Sequence, residues 1–464
     1  MFDRSIYVNR RKRLIEQVSG GLVLILGNNE APANYPANTY KFRQDSSFLY
    51  LFGLNHPGFA GVLDADSGEE YLYGDDVEMD DIIWMGPQPS TRELAAGVGV
   101  AHAAPFLRLA GALREAAGAG RRIHFLPPYR SYNTLLLEDM LGVHHSLLKG
   151  YASLELIRAL VALRSVKEPC EIEEIRRGCN IGYEMHVTAM KLAHPGEKEQ
   201  YIAGLLEGIA ASRGCMVSFP VILSQNGETL HNHDHSQTLA AGRMMLTDAG
   251  AETLMNYCSD FTRTVPVGGK FSGRQKDIYN IVLACNDKAR ELARPGVTYQ
   301  WVHLEACKVL ARGLKELGLM KGDVDEAVAA GAHALFMPHG LGHMMGIDVH
   351  DMEDLGQIHV GYDEETRPIA QFGTSSLRMG RRLQPGFVVT DEPGCYFIPA
   401  LIDQWRAGKM HEAFLAYDKI DAFKDFGGIR VEDDLLITGD GAACLGDRRL
   451  PATVAEIEET MRKG

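Results

Sequence analysis

Four segments in the second half of the chain share one form: a carboxylate or histidine at the end of an apolar strand or within it, beside glycine or proline. They are residues 244–250 (MMLTDAG), 338–350 (PHGLGHMMGIDVH), 387–394 (FVVTDEPG) and 428–438 (GIRVEDDLLIT). A carboxylate flanked by Val, Leu and Ile is costly to bury unless it is paired or bound to metal, so each needs a partner. Asp248 and Asp260 stand twelve residues apart, a length that two antiparallel strands and a short connection fill, and the two can then face one another. Alternation along the last segment puts Arg430 and Glu432 on one face of a strand, with Ile429 and Val431 on the other. If Asp248, Asp260, Glu392 and Glu432 converge, each pair of charges about 4 Å apart repels by about 4 kcal/mol at an effective dielectric of about 20, and only cations can hold them together. Four carboxylates and one imidazole describe a site for two metal ions.

Taken singly, the same residues have plainer readings. An acid near a strand end is commonly a turn former or a solvated charge, and Asp391, Asp433 and Asp434 are read that way. His231, His233 and His235 of the HNHDH run fit a polar loop, and a lone His339 fits a satisfied core histidine. The joint pattern, not any one residue, argues for chemistry.

These residues need a frame. Strand signals predominate over residues 216–270, two helices are expected at about 273–294 and 299–317, and strands return towards the C-terminus. The elements do not repeat as regular βαβ units, which favours an α+β arrangement over a doubly wound parallel sheet. Upstream, residues 154–167 have helical periodicity that ends before Pro169. A new helix starts there, with Ile172, Ile175, Cys179 and Tyr183 as its apolar stripe, and His194-Pro195-Gly196 stops it. A domain boundary is placed near residue 160, giving domains 1–160 and 161–464. The first reads as α/β: strands at 21–27 and 48–54, a hairpin at 61–73 around Asp66-Ser67-Gly68, a helix at 110–119 and a strand at 122–126. Residues 357–377, rich in Gly, Asp, Glu and Ser, read as a long loop.

Composition narrows the function. A chain of 464 residues, 45% hydrophobic and 23% charged, is expected to fold in water as two or three domains. Its net charge of −14 disfavours nucleic acid as a partner. The N-terminus lacks the apolar core of a signal peptide, and apolar runs such as Leu22 to Leu26 fall far short of the roughly 18 residues that span a bilayer. Eight cysteines without a C-x-x-C pair fit free thiols in a reducing cytoplasm. No G-x-S-x-G elbow, P-loop, dinucleotide fingerprint or H-E-x-x-H occurs. His339 and His343 are four apart, but Gly340 and Gly342 speak against the helix that the zinc motif requires.

The order TDAGAE, SDFTRT, HGLGHMMGIDVHD, EPG and GIRVEDD resembles the proline-specific pita-bread metallopeptidases, the family of aminopeptidase P and prolidase. KFRQDSSFLYLFG (residues 41–53) and WMGP (84–87) resemble that family's N-terminal domain, so the likeness covers nearly the whole chain. The resemblance implies a pita-bread catalytic domain behind an N-terminal α/β domain. It implies that Asp248, Asp260 and Glu432 hold one divalent ion while Asp260, His343, Glu392 and Glu432 hold the other. His231, His339 and His350 match histidines that contact substrate or stabilise the transition state, and Arg430 matches an arginine beside the bridging glutamate. Two departures stand out. The connection between Asp248 and Asp260 is one residue longer than the family pattern, a difference assigned to the turn at 254–256. SSLRMGRRLQPG followed by EPGCYFIPALID is closer to prolidase, in which Arg378 corresponds to an arginine for the dipeptide's free carboxylate.

The implied reaction is hydrolysis of the Xaa-Pro bond in peptides with proline second, by an Xaa-Pro aminopeptidase; the alternative is a prolidase restricted to the dipeptide. Hard oxygen ligands with one imidazole suit manganese better than tetrahedral zinc. Two such ions activate a water and polarise the scissile carbonyl. Glu392 is expected to move the proton to the leaving nitrogen, with His339 and His350 stabilising the tetrahedral state. A homodimer is implied by the resemblance. A reading of a different class, a binding module on the same fold, is disfavoured because all five ligand positions are present.

Overall fold

The computed structural model describes residues 1–463 and gathers the chain into two compact units, one of Met1–Arg164 with Asp354–His359, the other of Ser165–Glu353 with the residues from 360 onward. In the first unit a five-stranded sheet runs in the order His102–Ala104, Glu70–Tyr73, Ala60–Asp64, Leu22–Leu26, Ile123–His124. The expected hairpin is present: Asp64 Oδ1 accepts from the N–H groups of Asp66 and Ser67 at 2.9 and 3.1 Å, which closes its turn. Leu22, Leu24 and Val62 share a core cluster with Leu109, Leu113 and Met140 from the covering helices.

The strand expected at residues 48–54 is instead a helix, Ser46–Phe52. Its uninterrupted apolar run has no period that separates a buried strand from a buried helix, and all seven of its residues are buried. The ends decide. Asp45 caps the Phe48 N–H at 2.9 Å, and Gly53 closes the helix at φ +66°. The buried guanidiniums of Arg10 and Arg11 then donate to the last carbonyls, Tyr50 O at 3.0 Å and Leu51 O at 2.9 Å.

The second unit has the expected α+β character. The helix Pro169–Leu192 starts at its proline, with Glu168 and Glu171 forming a capping box. Its buried stripe keeps Ile175 and Cys179 but widens to Gly178, Gly182 and Met185, while Ile172 and Tyr183 lie at the margin. Gly182 lets the helix press on the strand behind the site, since a Cβ there would come within 2.9 Å of the Phe261 ring. The helices Gly273–Leu292 and Tyr299–Glu316 pack together and support strand Val388–Asp391. Asn286 Nδ2 donates to Asp391 O at 2.9 Å and Tyr299 Oη to Thr390 O at 2.6 Å.

The ladders of this unit are antiparallel. Met244–Asp248 pairs with Thr262–Pro266 and with Ile222–Ser224, Val388–Asp391 with Asp433–Ile437, and Gly394–Tyr396 with Gly428–Arg430. Residues 357–377 are mostly irregular, as expected, with short turns of helix at Gln357–Val360 and Thr374–Ser376. The chain then ends in a helix, Val454–Arg462, that the strand reading of this region does not include.

Candidate active site

The register of two ladders brings the acids together. Asp248 at the end of its strand lies opposite Thr262, and an isolated bridge sets Thr262 opposite Glu432. The connection from Asp248 to Asp260 is more than a hairpin, because Ala251–Glu252 pairs with Met216–Val217 before the chain turns. The turn is at Thr253–Asn256, with the Asn256 N–H donating to Thr253 O at 2.8 Å and Asn256 itself at φ +64°, a conformation asparagine tolerates. Asp260 is then fixed from behind: its N–H donates to Asp434 Oδ2 at 3.0 Å.

All ten residues singled out from the sequence, Asp248, Asp260, His343, Glu392, Glu432, His231, His339, His350, Arg378 and Arg430, line one cavity of about 540 Å³. Its apolar wall includes Phe219, Pro220, Ile222, Leu230 and Val349. His343 Nε2 stands 3.5 Å from Asp260 Oδ2 and 3.5 Å from Glu392 Oε1. One ligand atom each from Asp260, His343 and Glu432 lies within 4.8 Å of the other two. His343 Nδ1 sits 3.0 Å from Met344 O, which directs the proton to Nδ1 and leaves the Nε2 lone pair towards the acids.

The electrostatics are those of a cation site. Burial pushes the Asp260 carboxyl well above the usual range, and Glu432 and Asp248 push it further. Burial does the same to Glu432, followed by repulsion from Glu392 and Asp248. Glu392 is raised chiefly by burial, and burial holds His343 neutral, well below an ordinary imidazole. Asp248 Oδ1 and Asp260 Oδ1 are buried without a hydrogen-bond partner in the protein, which leaves them open to a water or an ion. Four carboxylate residues and one imidazole nitrogen form an oxygen-rich donor set that fits hard divalent ions.

Arg430 braces the set. Its Nη2 donates to Asp248 Oδ2 at 2.6 Å, its Nε to Thr262 Oγ1 at 3.0 Å and its Nη1 to Tyr396 Oη at 2.9 Å. Thr262 Oγ1 in turn donates to Glu432 Oε2 at 2.7 Å. Tyr396 Oη is 3.0 Å from His339 Nε2, and His339 Nδ1 is 2.8 Å from Gly340 O. Both ring nitrogens of His339 are therefore engaged, and burial and then Arg430 pull its pKa down to about 3. His350 packs edge-on to His343 with centroids 4.2 Å apart, and its Nδ1 meets Glu353. His231 lies at the exposed edge of the cavity, and partial desolvation and then Arg430 lower its pKa.

Three acids read from the sequence as turn formers or solvated charges are buried. Asp433 is raised by burial but brought below the ordinary range by Arg263 at 2.6 Å and Arg449 at 2.8 Å. Asp434 holds the Asp260 N–H, and Asp391 is fully buried with both carboxyl oxygens unpartnered. The partners of Asp433 and Asp434 are brought in by tertiary pairing, so local pattern carries no sign of them. Tyr396, Thr262 and Glu353 carry no signal of their own in the sequence, although Thr262 lies within SDFTRT, Tyr396 within EPGCYFIPALID and Glu353 two residues beyond HGLGHMMGIDVHD.

Comparison with known proteins identifies the family. Residues 173–439 match metallopeptidase family M24 and residues 7–124 match the aminopeptidase P N-terminal domain. An Xaa-Pro dipeptidase of Homo sapiens is 32% identical across 98% of this chain and 93% of its own. A probable Xaa-Pro aminopeptidase of Aspergillus clavatus is 32% identical across 90% of this chain and 88% of its own. Aminopeptidase P from E. coli, solved with the inhibitor Pro-Leu, superposes with a TM-score of 0.80 at 29% identity over 100% of both chains. The family acts through divalent metal ions, the chemistry for which this donor set is suited. By the matched span and by whole-length kinship, the chain belongs to metallopeptidase family M24, with an aminopeptidase P N-terminal domain ahead of a pita-bread catalytic domain.

Proposed function

We propose that the protein removes the N-terminal residue from peptides that begin Xaa-Pro, as an Xaa-Pro aminopeptidase with two divalent ions, preferably manganese. The observation that carries this reading is the single cavity in which four carboxylates, His343 and the flanking histidines and arginines meet. Asp248, Asp260 and Glu432 would hold one ion, and Asp260, His343, Glu392 and Glu432 the other. When bound, the ions supply a nucleophilic hydroxide near neutral pH and polarise the scissile carbonyl.

The chain's own residues do the rest. Glu392, whose carboxyl is raised by burial, takes up a proton and passes it to the leaving proline nitrogen, a tertiary amide that cannot depart unprotonated. His350 and His231 bind the substrate backbone. His339 acts through its bond with Tyr396, which ties it to Arg430 and so to Asp248. The apolar wall of Phe219, Ile222 and Leu230 excludes water from the reacting bond.

A prolidase activity is the second reading, favoured by Arg378 in the cavity lining and by kinship to Xaa-Pro dipeptidases over nearly the whole chain. Turnover of one Xaa-Pro dipeptide against the same peptide extended by one residue separates the two: comparable or faster cleavage of the longer peptide supports the aminopeptidase, and cleavage of the dipeptide alone refutes it. The division at residue 160 into N-terminal and catalytic domains, a homodimer and a reducing cytoplasmic setting, suited to eight cysteines without a C-x-x-C pair, belong to the same proposal. Among the described residues, no helix is long and apolar enough to cross a membrane.

A further inference from the structure

A second cluster of metal-ligating side chains lies outside the carboxylate site. His303 and Cys307 stand one turn apart on helix Tyr299–Glu316, so both project from the same face, and His333 comes from the short turn Ala332–Leu335. All three are 0% exposed. One ligand atom from each lies within 4.8 Å of the other two.

His303 and Cys307 contact one another, but packing alone does not account for His333. Both ring nitrogens of His333 are buried without a hydrogen-bond partner. A buried polar group left unpaired costs about 1–3 kcal/mol, and native cores rarely accept that without a water or an ion in reserve. Cys307 Sγ lies 3.6 Å from His303 Nε2. A tetrahedral ion with sulfur at about 2.3 Å and nitrogen at about 2.05 Å has an S–N edge of about 3.6 Å, so this pair is already spaced for one. Burial lowers His303 to about 3 and His333 to about 4, so both imidazoles are neutral with a lone pair to give. One sulfur and two nitrogens, without a carboxylate, select thiophilic ions over the hard cations suited to the catalytic set.

We infer that His303, Cys307 and His333 bind one thiophilic d10 cation, zinc(II) or copper(I), at a structural site separate from the carboxylate centre. Binding exchanges the Cys307 S–H bond for a sulfur–metal bond and releases the proton to solvent, with no change of oxidation state. Copper(I) and the thiolate cancel in charge, whereas zinc(II) leaves one buried positive charge; the two ions therefore differ in how well this interior accepts them. The ion would join helix Tyr299–Glu316 to the segment that continues into His339 and His343.

The test uses full-length protein expressed in zinc-supplemented or in copper-supplemented medium, desalted, and measured for metal content and for X-ray absorption at the edge of the added metal. In at least one arm a sulfur neighbour at about 2.3 Å is expected, together with metal beyond that held by the carboxylate centre. Cys307→Ser should abolish the sulfur signal and lower affinity at this site by more than the roughly tenfold that follows loss of a residue merely hydrogen-bonded to a ligand, with peptidase turnover unchanged. A wild-type spectrum that shows only oxygen and nitrogen neighbours in both arms overturns the inference, whether or not the variant folds.

Discussion

The carboxylate of Glu353 bridges His350 and Arg378, meeting His350 Nδ1 at 2.5 Å with one oxygen and Arg378 Nε at 3.1 Å with the other. His350 first, and then Arg378, draw the Glu353 carboxyl down to about 2. The brace thus stays ionised across the neutral and mildly acidic range. It fixes the spacing between a histidine proposed to meet the substrate backbone and an arginine proposed to meet a free carboxylate. Glu353→Gln keeps the size and removes the charge. Charge-assisted bonds of this kind are worth about 1.5–3 kcal/mol, so kcat/KM should fall by roughly tenfold or more, with an unchanged metal content. Steady-state kinetics on an Xaa-Pro dipeptide check it, and wild-type kcat/KM in the variant would show that the brace is ornamental.

Asp260→Asn should separate metal binding from folding. Asp260 touches two proposed ion positions, so its loss should lower metal affinity by more than the roughly 10–100-fold that follows changes to residues merely hydrogen-bonded to a ligand. The same change removes a carboxyl whose ionised form is disfavoured by burial and then by Glu432 and Asp248. Metal-free Asp260→Asn should therefore melt no lower than metal-free wild type. Metal analysis and calorimetry report both quantities; a variant that stays metal-replete and fully active contradicts the ligand assignment.

The raised carboxyls set the sign of a pH effect. Unfolded Asp and Glu titrate near ~4, whereas Asp260 and Glu432 are held well above that by burial and mutual repulsion. Above pH ~4 the metal-free folded chain holds more protons at these sites than the unfolded chain does, so their contribution to stability falls as pH rises towards the folded values. Metal-free wild type should lose stability relative to metal-free Asp260→Asn between about pH 5 and about pH 8, and divalent metal should reverse the loss by displacing the protons. A constant difference between the two proteins across that range would exclude the effect.

Tyr396→Phe should act on the site without touching a metal ligand. It leaves Arg430 Nη1 and His339 Nε2 without their shared partner, a cost of about 1–3 kcal/mol in stability. Arg430 should then hold Asp248 less firmly, and kcat should drop more than KM changes. Denaturant unfolding and Michaelis kinetics together make the check, and a stable variant with unaltered kcat would remove Tyr396 from the relay.

Asp248, Asp260, Glu392, Glu432 and Arg430 are legible in the sequence because strand alternation and the Gly and Pro beside each motif are local signals, and because charges among Val, Leu and Ile need a reason; His231, His339, His343, His350 and Arg378 take their roles only from the family resemblance. Helix Ser46–Phe52 reads as a strand because an apolar run carries no period of its own; only the cap at Asp45 and the left-handed Gly53 distinguish it. Asp433 and Asp434 escaped for another reason. What distinguishes them from solvated acids is Arg263, Arg449 and the Asp260 N–H, brought in by tertiary pairing over a long stretch of chain. Tyr396 and Glu353 have the same standing: their roles exist only once the strands are in register.

Thr262 has a consequence for metal exchange. Its carbonyl accepts the Glu432 N–H at 3.0 Å, and its hydroxyl meets both the Glu432 carboxylate and Arg430. The cage is thus laid down by sheet hydrogen bonds before any ion arrives. An incoming ion finds its donors already spaced and spends little affinity on ordering them. Replacement of one divalent ion by another should then proceed at a pace set by dehydration and entry through the cavity mouth, with the backbone of both ladders unmoved.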